Sequence, residues 1–219
     1  VVDGRIIVWT DGACKNNQDS RLRRAGAGVF YGRDHPLNVA FAVPGQCQTN
    51  QRAELLAVVL VLRRETRPIE IRTDSQWVFD GATSWANWRS SGWTGDHGDL
   101  WGEFSSLLLT RAQSVHFVKV KGHATQQDVD GGRVKQVDKY GNDGADAEAV
   151  RGAKHHSAPG ALTQCATEKR EMAVAVHRMM LRILKARREA EISFGLNGTD
   201  DFEHGDRGSE AGAEDFLGD

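Results

Sequence analysis

Apolar and polar residues alternate in short runs over the first part of the chain and then give way to longer runs with helical spacing. "RIIVWT" at 5–10 reads as a strand, and "GAGVFYG" (26–32) and "LNVAFAV" (37–43) as two more, joined by "RDHP", whose Asp and Pro favour a turn. Together these three predict an antiparallel meander. In "NQRAELLAVVLVLRRET" (50–66), Leu55, Val58, Val59 and Leu62 recur at helical spacing, and the segment stops before Pro68. "IEIRTD" (69–74) and "SVHFVKV" (114–120) supply a fourth and a fifth strand. Three short helical segments lie between them: "SQWVFDGAT", "SWANWRSSGW" and "DLWGEFSSLLLTR". A polar, Gly-rich loop follows to about 141, and then "NDGADAEAVRGA" (142–153), rich in helix formers. The class predicted is mixed α/β.

Beyond this region the pattern changes. "HHSAPGAL" has linker chemistry, and residues 154–165 are read as a linker. Residues 166–190 place Met172, Val176, Met179, Met180, Ile183 and Leu184 on one helical stripe, with Arg170, Arg178, Arg182, Lys185 and Arg188 largely away from it. Packing back on the domain is the preferred reading of that stripe; pairing with another subunit and contact with nucleic acid are the alternatives. Residues 191–219, Gly-rich and strongly acidic, are expected to be disordered.

Charge sharpens this division. The 219 residues carry a formal charge of −2, but 1–150 hold 18 basic and 18 acidic residues, 151–190 hold 9 and 3, and 191–219 hold 1 and 9. No apolar run approaches the roughly 20 residues that span a bilayer, so a soluble chain without a membrane partner is expected. The start "VVDGRIIVW" lacks an initiator Met, and the chain reads as a fragment of something longer. Cys14, Cys47 and Cys165 are scattered, with no C-x-x-C pair, which fits a reducing intracellular compartment, cytoplasm or nucleus.

Two strand ends carry an aspartate, Asp11 in "VWTDG" and Asp74 in "IRTDS". Such residues often serve as Asx-turns or N-caps. If the two strands are neighbours, both carboxylates emerge at one edge, and like charges held together are costly unless a cation sits between them. Glu54 is read in the first turn of the apolar helix, beside Leu55, where the helix dipole alone also favours an acid. Asp146 is a fourth candidate. Trp77, Trp85, Trp88, Trp93 and Trp101 fall within 25 consecutive positions, as core anchors or as platforms for sugars and bases.

"TDGAC", "TNQRAEL", "TDSQWV", "KGHA" and "GNDGADAEA", in that order, resemble the ribonuclease H family over about residues 4–153. The resemblance implies a ribonuclease H-like fold over residues 1–153: a five-stranded mixed sheet, three strands antiparallel and the others parallel, flanked by helices. It implies that Asp11, Glu54, Asp74 and Asp146 are metal-binding carboxylates, Asp146 being preferred to Asp143 because Asn142 to Asp146 fits the family's spacing. It also implies cleavage of the RNA strand of RNA-DNA hybrids with two Mg²⁺ ions, for which Mn²⁺ is a plausible substitute given all-oxygen ligands. His123, on a mobile loop at the rim that lets it swing in and out, would orient or shuttle a proton, or assist product release.

Substrate contacts implied by the resemblance are Asn16 or Asn17, Asn50 and Gln51 in the minor groove, with Thr49 and Arg52 near backbone phosphates. Ordinary readings are turn residues for Asn16 and Asn17 and an N-cap for Thr49. "SWANWRSSGW" resembles the family's substrate-binding handle, with Trp85, Trp88 and Trp93 in it and its basic residues thinned to Arg89. The stretch "QQDVDGGRVKQVDKY" between His123 and Asp146 is extra relative to compact bacterial members. A catalytically silent hybrid-binding or scaffolding domain, and a related nuclease or integrase-like enzyme acting on DNA, are the rival functions.

Overall fold

Five strands form one sheet in the order β3-β2-β1-β4-β5, comprising β1 (Ile6–Lys15), β2 (Arg24–Phe30), β3 (Val39–Ala42), β4 (Ile69–Thr73) and β5 (Val115–Lys119). The computed structural model describes residues 3–16, 19–92, 95–156 and 160–195, without the side chains of Trp88, Ser90, Ser91 and Leu162. Asn17, Trp93 and the acidic stretch from 196 onward therefore lie outside the described residues. β1, β2 and β3 pair antiparallel, and β4 and β5 run parallel to β1, the mixed sheet the resemblance implies.

β1 is longer than its apolar alternation predicts. Asp11 through Lys15 stay paired with Gly28 through Arg24 on the β2 edge, whereas pairing with β4 stops at Thr10–Thr73. Asp11 thus sits at the end of the parallel ladder and not at the end of its strand.

Direct partners in an antiparallel ladder share a face, so Asp11 and Gly28 look one way and Gly12 and Ala27 the other. Gly26 and Gly28 lie against the backbone of α6 (Gln136–Lys154) at Ala145, Ala149 and Ala153. Gly12 lies against α1 (Asn50–Arg64) at Asn50, Ala53 and Glu54. Any side chain at these glycines would meet helix backbone, so their lack of one sets how closely both helices approach the sheet.

α1 is buried continuously from Ala53 to Leu62, including the four residues of its predicted stripe. Thr49 caps it, accepting the Arg52 N–H at 3.1 Å. Leu55, Val58, Ile69, Ile71 and Val8 are fully buried together with Phe104 of α4 (Gly98–Thr110), the helix that packs on α1. Truncating such a leucine costs about 2–5 kcal/mol. α2 (Gln76–Thr83) and α3 (Trp85–Ser91) precede α4. Trp101 is buried with its ring 5.2 Å from those of Trp77 and Phe104, and Trp77 and Trp85 pack partly buried on the core.

Two stretches differ from the sequence reading. The segment after His123 is not a loop to 141: it holds α5 (Gln126–Asp130) and the first turns of α6, because Thr125 and Asp128 form a capping box that starts a helix. The segment read as a linker is also shorter. α6 runs to Lys154 and α7 (Gly160–Ser193) begins at Gly160, the residues after it containing no helix breaker.

The chain divides into two units, Val1–Thr163 and Gln164–Asp219. Within the second unit, α7 carries its apolar stripe on the surface of the helix, Met172 exposed by 70% and Leu184 by 59%. The i,i+4 pair Arg187–Glu191 at 2.7 Å adds a little to its helical stability. Among the described residues no helix is long and apolar enough to cross a membrane.

Candidate active site

Beyond Thr10–Thr73 the edge of β1 toward β4 is unpaired, and three carboxylates meet there: Asp11 of β1, Asp74 just after β4, and Glu54 of α1. One oxygen from each lies within 4.8 Å of the others. Glu54 is the fifth residue of its helix, beyond the first turn, so the helix dipole does not account for it.

Asp11 and Glu54 are each only 5% exposed. Burial pushes the Asp11 carboxyl up to about 8, with repulsion from Asp74 next, opposed by the Gly12 N–H and reinforced by Asp146. Burial also raises Glu54 well above the usual carboxylate range, and Asp11 and Asp74 add to it. Asn50 donates to Glu54 Oε1 at 3.3 Å, while Glu54 Oε2 is buried without a hydrogen-bond partner. Asp11 stands within hydrogen-bonding range of Glu54, and two acceptors so placed conflict unless a proton or a cation intervenes. An orphaned buried oxygen among three carboxylates fits a hard divalent cation.

Asp74 is held from two sides. Asn142 of α6, 3% exposed, donates Nδ2 to Asp74 Oδ2 at 3.1 Å. Gly122 lies against the same oxygen, leaving no room for a Cβ. Asp146 follows Asn142 at i+4 and so shares its helix face. It is half-buried and stands outside the 4.8 Å triad, yet its charge acts on Asp11. Asp143 is exposed and paired with Lys139 at 2.5 Å.

A buried ionic network lies beside the triad. Glu70, Arg72 and Asp74 alternate onto one side of the β4 line. Arg72 donates Nε and Nη2 to Glu70 Oε1 at 2.8 and 2.6 Å, bonds Asp138 in the first turn of α6, and covers the Trp9 ring at 5.6 Å. This ties the start of the helix carrying Asn142 and Asp146 to the strand that leads into Asp74.

His123 is exposed, next to Gly122, with a left-handed backbone (φ 46°). Among the residues implied as substrate contacts, Gln51 and Arg89 are exposed and Asn16 is exposed in a turn, donating to the Leu22 carbonyl at 3.3 Å. Asn50 supports Glu54, and Thr49 caps α1 while also meeting His97 Nε2 at 3.2 Å. Arg52 departs from its expected place at phosphates: its guanidinium is engaged bidentately by Asp99 at 2.9 and 2.5 Å, because α4 presents that acid to α1. Trp85 packs on the core, and the Trp88 side chain, Asn17 and Trp93 lie outside the described residues. Sequence reasoning gave no role to Gly122, Arg72 or the Asn142 amide. A glycine just before the histidine and an arginine inside an apolar strand were the available signals.

A mixed five-stranded sheet that gathers buried carboxylates at the end of its parallel ladder defines the ribonuclease H-like class of folds. The RNase H family profile matches residues 3–154, and the chain belongs to that family. It is 36% identical to mouse (Mus musculus) ribonuclease H1 over 128 residues, covering 54% of this chain and 44% of that protein. It is 31% identical to the ribonuclease H of Verminephrobacter eiseniae over 167 residues, covering 72% and 96%. The chain thus spans less than half the length of the mouse relative. The PFV RNase H domain, solved in solution, superposes with a TM-score of 0.52 at 23% identity, covering 68% of this chain and 93% of that domain.

Proposed function

We propose that this protein hydrolyses the RNA strand of RNA-DNA hybrids at the Asp11, Glu54 and Asp74 cluster, with Asp146 as a fourth ligand. The observation that carries this is the packing of three carboxylates, two of them almost fully buried, within 4.8 Å, with one orphaned oxygen. Relatives named ribonuclease H at 31–36% identity support the same chemistry.

Two Mg²⁺ ions held by these carboxylates, with Mn²⁺ as a substitute, would activate a water and stabilise the departing 3′-oxygen. The chain's own work is to hold the ligands still. The Gly12 N–H fixes Asp11 Oδ1 at 2.7 Å, Asn50 fixes Glu54, and Asn142 fixes Asp74. Exposed His123 at the rim would carry a proton away from the site or assist the departing product. Asn16 and Gln51 are exposed polar groups suited to the 2′-hydroxyls that distinguish RNA from DNA.

A labelled hybrid incubated with the purified chain and Mg²⁺, beside double-stranded RNA and double-stranded DNA, tests the reading. Cleavage confined to the hybrid's RNA strand is expected. Asp74→Asn should abolish it while hybrid binding persists, and His123→Ala should slow turnover only partly. Wild-type protein that binds the hybrid and leaves it intact would be a silent binding domain, and the proposal would fail.

A further inference from the structure

The residues on either side of His123 converge on one carboxylate. Asp128 is 5% exposed and uses both oxygens. Its Oδ1 accepts Lys121 Nζ at 2.7 Å and Arg133 Nε at 2.9 Å. Its Oδ2 accepts the Thr125 N–H at 2.9 Å and the Thr125 hydroxyl at 2.8 Å. The Asp128 carbonyl accepts the N–H groups of Arg133 at 2.9 Å and Val134 at 3.2 Å. Lys121 stands two residues before His123 and Thr125 two residues after it.

Between those two anchors the chain has little freedom left. His123 holds a left-handed backbone, which costs a non-glycine residue about 1–3 kcal/mol and persists only where surrounding bonds impose it. Gly122 is pressed against Asp74 Oδ2, and Ala124 is buried. The imidazole is thus the exposed side chain of a five-residue arch whose shoulders share one acceptor. The Lys121 bond, followed by those of Thr125 and Arg133, also keeps the Asp128 carboxyl well below the usual carboxylate range, so the clamp stays charged at neutral pH.

We infer that Asp128 is a positioning residue for hydrolysis: by joining Lys121 to Thr125 it fixes the arch that presents His123 to the scissile site. The inference rests on the proposed hydrolysis and on the part given there to His123. It makes the segment between His123 and α6 a brace for the catalytic rim and not a free loop. Asparagine at 128 keeps the shape but offers one acceptor oxygen in place of two, so either the Lys121 and Arg133 donors or the Thr125 N–H lose their acceptor.

The test is a double-mutant cycle on the full chain with hybrid and Mg²⁺, read as kcat and KM separately. Asp128→Asn should lower kcat about ten-fold or less, toward the His123→Ala level, with KM little changed, since small displacements of a catalytic group cost rate more than binding. Adding Asp128→Asn to His123→Ala should cost nothing further. Amide hydrogen exchange at residues 121–125 should rise in Asp128→Asn. The milder Lys121→Ala, whose side chain is 53% exposed, should give a smaller fall in kcat and a smaller rise in exchange, and carries the test if Asp128→Asn fails to fold. Unchanged exchange, wild-type kcat in Asp128→Asn or additive effects in the double variant would overturn the brace while leaving hydrolysis standing. An inert wild-type chain would overturn both.

Discussion

Gly122 and Asp74 touch: a Cβ on Gly122 would lie 2.5 Å from Asp74 Oδ2, the oxygen that also accepts the Asn142 amide. Gly122→Ala therefore has to push the Asp74 carboxylate aside. The displaced atom is the end of a side chain and not backbone, so the fold should keep its stability within about 1 kcal/mol. The cost should fall on metal binding, with more Mg²⁺ needed for half-maximal cleavage. Thermal unfolding and a Mg²⁺ titration of the rate check the two halves, and an unchanged Mg²⁺ requirement would refute the contact's importance.

The site was legible where chemistry and strand pattern coincide, and illegible where it depends on packing. Asp11 and Asp74 stand out because each follows a Thr at the end of an apolar run, and pairing of Thr10 with Thr73 brings them together. Glu54 is harder to read, since an acid near a helix start has an ordinary explanation, which only the observed start of α1 at Asn50 and the burial of the side chain remove. Gly122, Asn142 and Arg72 act through contacts between segments tens of residues apart, which periodicity cannot express. The segment after His123 reads as loop because its Gly and Asp residues are turn formers, yet the Thr125–Asp128 box outweighs them.

Asp11 makes stability depend on pH in a definite direction. Its folded carboxyl is raised from 3.8 to about 8, so between those values the native state binds more protons than the unfolded state. Unfolding free energy of the metal-free chain should then fall as pH rises from about 4 to about 8. Asp11→Asn removes the charge and should be more stable than wild type at pH 8, by at least about 1 kcal/mol, with the gap closing near pH 4. Divalent cation should close it at pH 8 as well. Urea melts at the two pH values, with and without Mg²⁺, decide this.

Arg72 has two carboxylate partners, of which Glu70 is buried beside it. Arg72→Met leaves Glu70 as a buried charge, faced across 3.6 Å by His116, which is mostly exposed. The expected loss of stability is about 3 kcal/mol, the usual consequence of breaking a buried pair from one side. Glu70→Gln combined with Arg72→Met removes both charges and should recover part of that loss. If the double variant is no more stable than Arg72→Met alone, the network is not an ionic one in energetic terms.

Arg52 offers the clearest division between a substrate contact and a structural tie. Its side chain is 14% exposed and its guanidinium is occupied by Asp99, whose carboxyl this pairing lowers to about 2. A cation already neutralised in this way releases little counterion when nucleic acid binds, whereas each true phosphate contact steepens the salt dependence of affinity by about 0.7–0.9 in log-log slope. Arg52→Ala should therefore leave the slope for hybrid binding unchanged and reduce stability by about 1 kcal/mol, because Asp99 is exposed to solvent and screened. Asp99→Asn weakens the tie, frees the Arg52 charge and should make the slope steeper. Titrations of hybrid binding over a range of salt concentrations measure both. A shallower slope in Arg52→Ala would return Arg52 to the phosphate backbone, where the family resemblance places it.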